Sequence, residues 1–254
     1  MTQARRIKMA VMLTAIFFMT LLTACGGDDE LVIGINDGYA PFGFTEGGQK
    51  KGFEVELMQK IAEEAGFKVR LKSLAGGDIL RQVKDRKLDA GIAGITIKES
   101  RKKTVDFSTA YLQTGQQIAV LKNRNDIHSV KDLAKQTVGA KIGTSGYEYV
   151  SKIAGVEEIR AFHTIDEVFQ ALERGDIDAL VYDEPGIEHY VKKHDTVKKI
   201  GKRLTSEHYA IALPKGSIYT GRMNNALKTL GENGTFKQLY EKWFGGEPQS
   251  LPRE

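Results

Sequence analysis

Residues 91–108 read GIAGITIKESRKKTVDFS, a stretch that begins as a strand and ends as a charged segment. Small and β-branched residues open it, which favours a buried strand. Ala93 and Gly94 leave little bulk where that strand would surface, Thr96 adds a hydroxyl and an amide, and Arg101 adds a planar guanidinium fork. Because open α/β sheets bind ligands at the carboxyl ends of their strands, the stretch predicts a binding edge in an α/β protein.

Strand-like runs alternate with helical patterns along the rest of the chain. Apolar residues between Phe53 and Ala62 form one helical face, and another lies at Val168–Leu172 after a capping box from Thr164 to Glu167. The predicted strands are Leu31–Ile35, Lys68–Leu74, Leu88–Ile95, Gln117–Leu121, Thr137–Ile142, Ile159–Phe162, Ile177–Tyr182 and Tyr209–Leu213. Strands separated by helices predict parallel-rich sheets covered on both faces.

Two short passages between strand-rich blocks, at 111–115 and 207–211, predict that the chain crosses twice between two lobes. Two crossings form a hinge. The predicted divisions are lobe 1 at 31–110 and 212–246, lobe 2 at 116–206, and a C-terminal tail at 247–254.

The first 24 residues have the pattern of an export signal. Three basic residues precede fourteen uncharged residues, Met9–Leu22, and Thr23-Ala24 then stand before Cys25. A spanning helix needs about 20 apolar residues, so the pattern predicts a removable signal peptide rather than a permanent anchor.

Cys25 is the only cysteine of the chain. Leu22-Thr23-Ala24-Cys25 resembles the bacterial lipobox, which implies a lipid anchor on Cys25 and a tether at 25–30 that holds the protein at the extracytoplasmic face of the cell membrane. A lone buried or free thiol is the alternative. One cysteine supplies neither a disulfide framework nor a thiolate metal cluster.

The net charge of +4 comes mostly from the leader, which holds three of the 37 basic residues and none of the 33 acidic ones. The mature part therefore carries 34 minus 33, or +1. This balance gives no support for a nucleic-acid partner. We expect a monomer.

Short motifs occur in order through the mature chain. They are Pro41-Phe42, Gly52-Phe53-Glu54-Val55-Glu56-Leu57, Ala93-Gly94-Ile95-Thr96-Ile97, Arg101-Lys102-Lys103, Val105-Asp106-Phe107-Ser108, Asn233-Gly234-Thr235 and Lys242-Trp243-Phe244-Gly245. From about Leu31 to Gly245 the series resembles the polar amino acid-binding proteins, extracellular solute-binding family 3, of ABC importers, and most closely their glutamine-binding branch. The resemblance implies a two-lobed periplasmic-binding-protein-like fold of type II and a receptor that delivers an amino acid to permease subunits.

The resemblance also implies which residues of lobe 1 meet the ligand. Arg101 and Thr96, beside Ala93 and Gly94, would hold its carboxylate, although a solvated basic run with Lys102 and Lys103 is the alternative for Arg101. Asn36 and Tyr39 match positions that contact or wrap the ligand side chain, and core packing is the alternative for Tyr39. Gly76 stands where the family usually has an aromatic residue, so one wall of the expected site is missing.

Lobe 2 would supply the complementary half. The sequence leaves a strand at Lys141 and enters a helix at Thr144 and Ser145, where free amides and the helix dipole favour an anion. By resemblance these two residues complete the carboxylate site; a turn with a Ser N-cap is the compatible alternative. Tyr182-Asp183 ends another strand. Asp183 matches the family acid that pairs with the ligand ammonium, and its alternative is a helix N-cap before Pro185.

Lys141 and Asn36 bear on ligand identity. By resemblance Lys141 reaches the ligand side chain, and its charge disfavours basic amino acids. Asn36 stands where glutamine-binding relatives have an aspartate, and its amide both donates and accepts. Glutamine is therefore predicted first and glutamate second.

Other chemistries find little support. His189 and His194 lie five residues apart, which does not place them on one helical face, and no phosphate-loop spacing or Ser-His-Asp context is present. We predict no catalytic residues, no metal and no cofactor. A catalytic relative of the same fold, such as a dehydratase acting on a cyclic carboxylate, remains the alternative, because fold does not imply function.

Overall fold

The computed structural model describes residues 29–252. The predicted signal peptide, Cys25 and most of the tether therefore lie outside the described residues, as do the last two residues of the predicted tail. Across residues 29–252, no helix has the length and apolarity needed to cross a bilayer.

Strands and helices alternate through the described chain. In order they are β1 (Glu30–Ile35), β2 (Gly38–Tyr39), β3 (Gly43–Glu46), β4 (Gln49–Lys51), α1 (Phe53–Ala65), β5 (Lys68–Ser73), α2 (Gly76–Lys84), β6 (Ala90–Ile92), α3 (Glu99–Lys102), β7 (Val105–Phe107), β8 (Leu112–Thr114), β9 (Gln116–Leu121), a 3-10 turn (Val130–Leu133), β10 (Thr137–Lys141), α4 (Ser145–Val150), β11 (Glu158–Phe162), α5 (Ile165–Arg174), β12 (Ala179–Asp183), α6 (Glu184–Val191), β13 (Val197–Ile200), β14 (Glu207–Tyr209), β15 (Ala212–Pro214), α7 (Tyr219–Glu232) and α8 (Thr235–Phe244).

The two helices predicted from their apolar faces are present. Helix α1 buries the apolar residues of that face and ends at Ala65. The next residue, Gly66, caps it: its left-handed conformation (φ 72°) directs its amide to the Ala62 carbonyl. Helix α5 begins with the predicted capping box: Thr164 Oγ1 accepts from the Glu167 amide at 3.2 Å, and Glu167 Oε2 accepts from the Thr164 amide at 2.9 Å. Local capping chemistry therefore fixes the start of α5.

Two five-stranded sheets form the two lobes, in the orders β5-β1-β6-β15-β7 and β11-β10-β12-β9-β13. The two-lobed α/β fold class is confirmed. Each sheet is mixed rather than uniformly parallel: β1 is parallel to β6, and β10 to β11 and β12, while β15 and β9 run antiparallel to their neighbours. Strands β9 and β15 follow a crossing between the lobes and not a crossover helix, so they enter their sheets in the opposite direction.

Strands β8 and β14 form a separate antiparallel ribbon, with Leu112 opposite Tyr209 and Thr114 opposite Glu207. Each strand directly precedes the antiparallel strand of a five-stranded sheet, β9 and β15 respectively. The ribbon lies within the two passages predicted to cross between the lobes. Its action as a hinge, and the lobe boundaries around it, stay predictions.

Candidate functional site

A cavity of about 140 Å³ lies between the carboxyl ends of strands from both sheets. Its wall includes all twelve residues predicted to meet a ligand, namely Asn36, Tyr39, Gly76, Ala93, Gly94, Thr96, Arg101, Lys141, Thr144, Ser145, Tyr182 and Asp183. The structure thus brings the predicted set together, and its role in binding stays a prediction. Five lining residues were not predicted: Gly77, Leu80, Ile95, Ile142 and Gly143.

The loop after β6 passes so close to two tyrosines that only glycine fits at one position. Gly94 has φ +60°, and a Cβ built there would lie 2.7 Å from the Tyr39 ring and 3.2 Å from the Tyr209 ring. Tyr39 itself is 2% exposed and stacks on Phe42 with ring centroids 4.7 Å apart. Tyr39 therefore both packs in the core and forms a wall of the cavity. The predicted ligand contact and the alternative of core packing are compatible.

Arg101 differs from the basic residues around it. Lys102 pairs with Glu99 at 2.7 Å on an exposed surface, whereas Arg101 is half-buried and makes no ion pair among residues 29–252. Its Nη1 donates to the Thr96 carbonyl at 2.9 Å, and burial lowers the pKa of its guanidinium. Arg101 is held against the cavity with donors to spare, which is not the state of a solvated surface arginine.

Thr144 and Ser145 open α4 on the opposite wall. The N-cap is Thr144, whose Oγ1 accepts from the Tyr147 amide at 3.3 Å, so the alternative of a Ser N-cap is wrong. Ser145 is left free of capping and donates across the cleft to Thr96 Oγ1 at 3.2 Å. Lys98 Nζ also meets Glu148 Oε2 across the cleft at 2.7 Å. These contacts hold the two walls together in this conformation.

Asp183 occupies the N-cap position of α6, but its carboxylate makes no capping hydrogen bond. It accepts instead from Gln116 Nε2 at 2.5 Å and from the Tyr39 hydroxyl at 3.3 Å, inside the site. Burial, followed by the nearby charge of Glu207, raises the pKa of Asp183 to about 6. The charged form of a buried carboxylate is stabilised by a positively charged partner.

Lys141 and Asn36 lie at another part of the wall. The Lys141 side chain is 8% exposed, and its ammonium makes no hydrogen bond or ion pair in the part of the chain that the structure describes. Burial lowers the pKa of Lys141, opposed by the charges of Asp183 and Asp166. Asn36 is 7% exposed, and its Oδ1 accepts from the Gly38 amide at 3.2 Å. An ammonium that lines the cavity without a hydrogen-bond partner, beside a neutral amide, favours an electron-rich ligand group.

Two acidic residues for which the sequence predicted no role contact residues of the cavity wall. Glu207, in β14, accepts from Thr96 Oγ1 at 2.8 Å and from Gln116 Nε2 at 3.2 Å. Glu54, in α1, is 1% exposed and accepts from the Gly94 amide at 2.7 Å and from the Tyr111 hydroxyl. Burial raises the pKa of Glu54 to about 7.

A signal for Glu54 was present in the sequence. An acidic residue directly between Phe53 and Val55, at the start of an apolar helical face, is out of place unless it has buried donors. Glu207 gave no such signal, because two of its partners, Thr96 and Gln116, lie 111 and 91 residues away along the chain.

The geometry can recognise a zwitterion. Arg101 and the amides at the start of α4 suit a carboxylate, and Asp183 suits an ammonium. Within residues 29–252, no group of three or more His, Cys, Asp or Glu side chains is placed to hold a metal ion.

The chain is similar to known proteins over most of its length. The family model of bacterial extracellular solute-binding proteins, family 3, matches residues 31–246. The arginine-binding extracellular protein ArtP of Bacillus subtilis is 31% identical, with 94% of this chain and 99% of the relative covered. The glutamine-binding protein GlnH of an ABC transporter of the same organism is 29% identical, covering 89% and 85%. A solved ancestral arginine-binding protein bound to glutamine superposes with a TM-score of 0.81 at 37% identity, covering 85% and 98%.

Proposed function

The chain belongs to the bacterial extracellular solute-binding proteins of family 3, and from that premise we propose that it binds glutamine, and glutamate second, between two closing lobes. As a family member it is a non-catalytic, extracytoplasmic amino acid-binding protein of an ABC transporter. The amino acid and the permease subunits are therefore its partners, and the catalytic alternative on the same fold is not supported.

The head group of the amino acid is matched by two charges of opposite sign. Arg101 has no ion pair within the described chain and leaves guanidinium donors for the ligand carboxylate. Asp183 already accepts from Tyr39 and Gln116 and would accept from the ligand ammonium, which replaces the solvation that burial removed. Ser145 and Thr96, which hydrogen-bond to each other across the cleft, are positioned to share the carboxylate once it enters.

The observation that carries the choice of side chain is Lys141, which lines the cavity and whose ammonium has no hydrogen-bond or ion-pair partner within residues 29–252. A second cation placed beside it gains nothing and is deprived of water, so arginine and lysine are disfavoured here although several relatives are named for arginine. The side-chain carbonyl of glutamine accepts from Lys141, and its NH₂ group donates to the Asn36 oxygen. Glutamate supplies two acceptors, one for Lys141 and one for the Asn36 NH₂ group.

We further propose that Cys25 carries a lipid that anchors the mature protein at the extracytoplasmic face of the membrane, and that the protein acts as a monomer. The lipobox-like residues 22–25 support the anchor. Strands β8 and β14, which join the lobes as one antiparallel ribbon, support a hinge on which a single chain closes.

A thermal-shift screen of the twenty amino acids tests the proposal. Those that raise the unfolding temperature are then titrated by calorimetry. We expect glutamine to give the largest shift and glutamate the next, because a ligand bound only by the folded state stabilises it by an amount that grows with the logarithm of its affinity. A larger shift with arginine or lysine would overturn the role given to Lys141. No shift with any amino acid would overturn the proposed function.

A further inference from the structure

An ion pair joins the two walls of the cleft close to the candidate site. Lys98 Nζ lies 2.7 Å from Glu148 Oε2. Lys98 is the N-cap residue of α3, which packs on β7 of the first sheet, whereas Glu148 belongs to α4, which packs on β10 and β12 of the second sheet. The pair therefore connects the two five-stranded sheets rather than two parts of one sheet.

The position of the pair relates it to the site without making it part of the cavity wall. Lys98 comes two residues after Thr96 and Glu148 three residues after Ser145, the two residues that hydrogen-bond across the cleft at 3.2 Å. Neither Lys98 nor Glu148 lines the cavity, and the Lys98 side chain does not cap α3. The side chains are 21% and 50% exposed, so water and salt screen the pair only in part.

The pair has a property that the head-group contacts lack, because it forms without a ligand. Separation of α3 from α4 would break it, so it stabilises the closed conformation and not an open one. A contact of this kind raises the closed fraction of the ligand-free protein. The apparent dissociation constant equals the intrinsic one divided by the fraction of protein in the binding-competent state. An ion pair outside the cavity therefore strengthens binding without touching the ligand.

We propose that Lys98 and Glu148 are positioning residues that form an interlobe latch, which raises the affinity for every amino acid that the site accepts by the same factor. The latch thus sets affinity, whereas Lys141 and Asn36, which line the cavity, select the ligand by its side chain. This inference rests on the proposed function, because it needs a ligand bound between two closing lobes.

Calorimetric titration with L-glutamine, and with L-arginine as a second probe, tests the latch. The proteins are the wild type, Lys98→Met, Glu148→Gln and the double variant, which has the net charge of the wild type. Methionine keeps a flexible apolar chain without the charge of lysine. Lys102→Met is the matched control, because Lys102 is also in α3 but pairs at 2.7 Å with Glu99 of the same helix. Thermal unfolding of each variant without ligand shows whether it folds.

The double variant is needed because Glu148 acts on a second group. Burial lowers the pKa of the Arg101 guanidinium, and the charge of Glu148 opposes this shift. Glu148→Gln alone therefore changes both the latch and the surroundings of Arg101. The effect of Lys98→Met, measured with and without Glu148→Gln, isolates the pair itself.

We expect Lys98→Met to raise the dissociation constant about twofold to fivefold, the range for a partly exposed ion pair. In the Glu148→Gln background the same substitution should have almost no effect, because the pair is already broken. Lys102→Met should leave the dissociation constant unchanged. A rise in NaCl from about 0.05 M to about 0.5 M should weaken binding more in the wild type than in the double variant, because salt screens the pair.

An unchanged dissociation constant in Lys98→Met, or an equal effect of this substitution with and without Glu148, would overturn the inference alone. A wild type that binds L-arginine but not L-glutamine, with the same pattern among the variants, would support the latch and overturn the choice of ligand. A wild type that binds neither probe and shows no thermal shift with any amino acid would overturn the proposed function, and the latch with it.

Discussion

Replacement of Arg101 by alanine separates a ligand-binding arginine from a surface one. The guanidinium is half-buried, its pKa is lowered by burial, and its described hydrogen bond goes to the Thr96 carbonyl. In Arg101→Ala the ligand carboxylate would enter the same partly desolvated site without its cation. The structure therefore predicts a loss of binding and little change in folding.

The size of the loss follows from the contacts that the arginine would make. A hydrogen bond to a charged group contributes roughly 1.5–3 kcal/mol, and each 1.4 kcal/mol corresponds to about tenfold in the dissociation constant. We expect the affinity for the preferred amino acid to fall at least about tenfold. The Thr96 carbonyl loses one donor at the same time, which adds a smaller cost to stability.

Lys102→Ala is the control from the same helix, α3. Lys102 pairs with Glu99 where both side chains are largely exposed, a kind of pair worth about 0–1 kcal/mol at most. Titration calorimetry at pH 7 on both variants, with circular dichroism melts to confirm folding, should show a large loss for Arg101→Ala and almost none for Lys102→Ala. Equal effects of the two substitutions would mean that Arg101 is a solvated surface residue like Lys102, and would refute the carboxylate site.

Three further outcomes are expected. Burial and Glu207 raise the pKa of Asp183 to about 6, so its carboxylate is mostly neutral at pH 5 and mostly charged at pH 7. The affinity for the amino acid should therefore fall about tenfold from pH 7 to pH 5. An affinity that does not change with pH would contradict the contact between Asp183 and the ligand ammonium. Gly94→Ala should cost about 1–3 kcal/mol in the free energy of unfolding, measured in urea, because its Cβ would lie 2.7 Å from the Tyr39 ring at a positive φ; an unchanged midpoint would refute the packing. Cys25→Ser should move the exported protein from the detergent phase to the aqueous phase in a detergent split, and retention in detergent would count against lipidation of Cys25.

The sequence was most informative where chemistry is local. The apolar face from Phe53 to Ala62 and the capping box of Thr164 and Glu167 are each decided within a few residues, and both helices formed as predicted. The ends of buried strands were also readable, because small and β-branched runs stop where polar residues begin. The resemblance to the family then named twelve scattered residues, and all of them lie in the wall of one cavity.

Features that depend on contacts between distant parts of the chain could not be predicted from the sequence. Mixed sheets arise because β9 and β15 arrive from the β8 and β14 ribbon, a relation between positions about 100 residues apart. Glu207 and Gln116 meet Thr96 and Asp183 only after the chain has crossed twice between the lobes.

Small-angle scattering with and without a saturating amino acid tests most directly whether the ligand is bound between two closing lobes. Residues from both walls already meet at Thr96 and Ser145, and the ligand would contact both walls and so favour the closed state over the open one. The wild-type protein should show a smaller radius of gyration with L-glutamine than without, and Arg101→Ala should need a higher concentration for the same change. A radius that stays constant in the wild type at a ligand concentration that saturates the thermal shift would contradict closure.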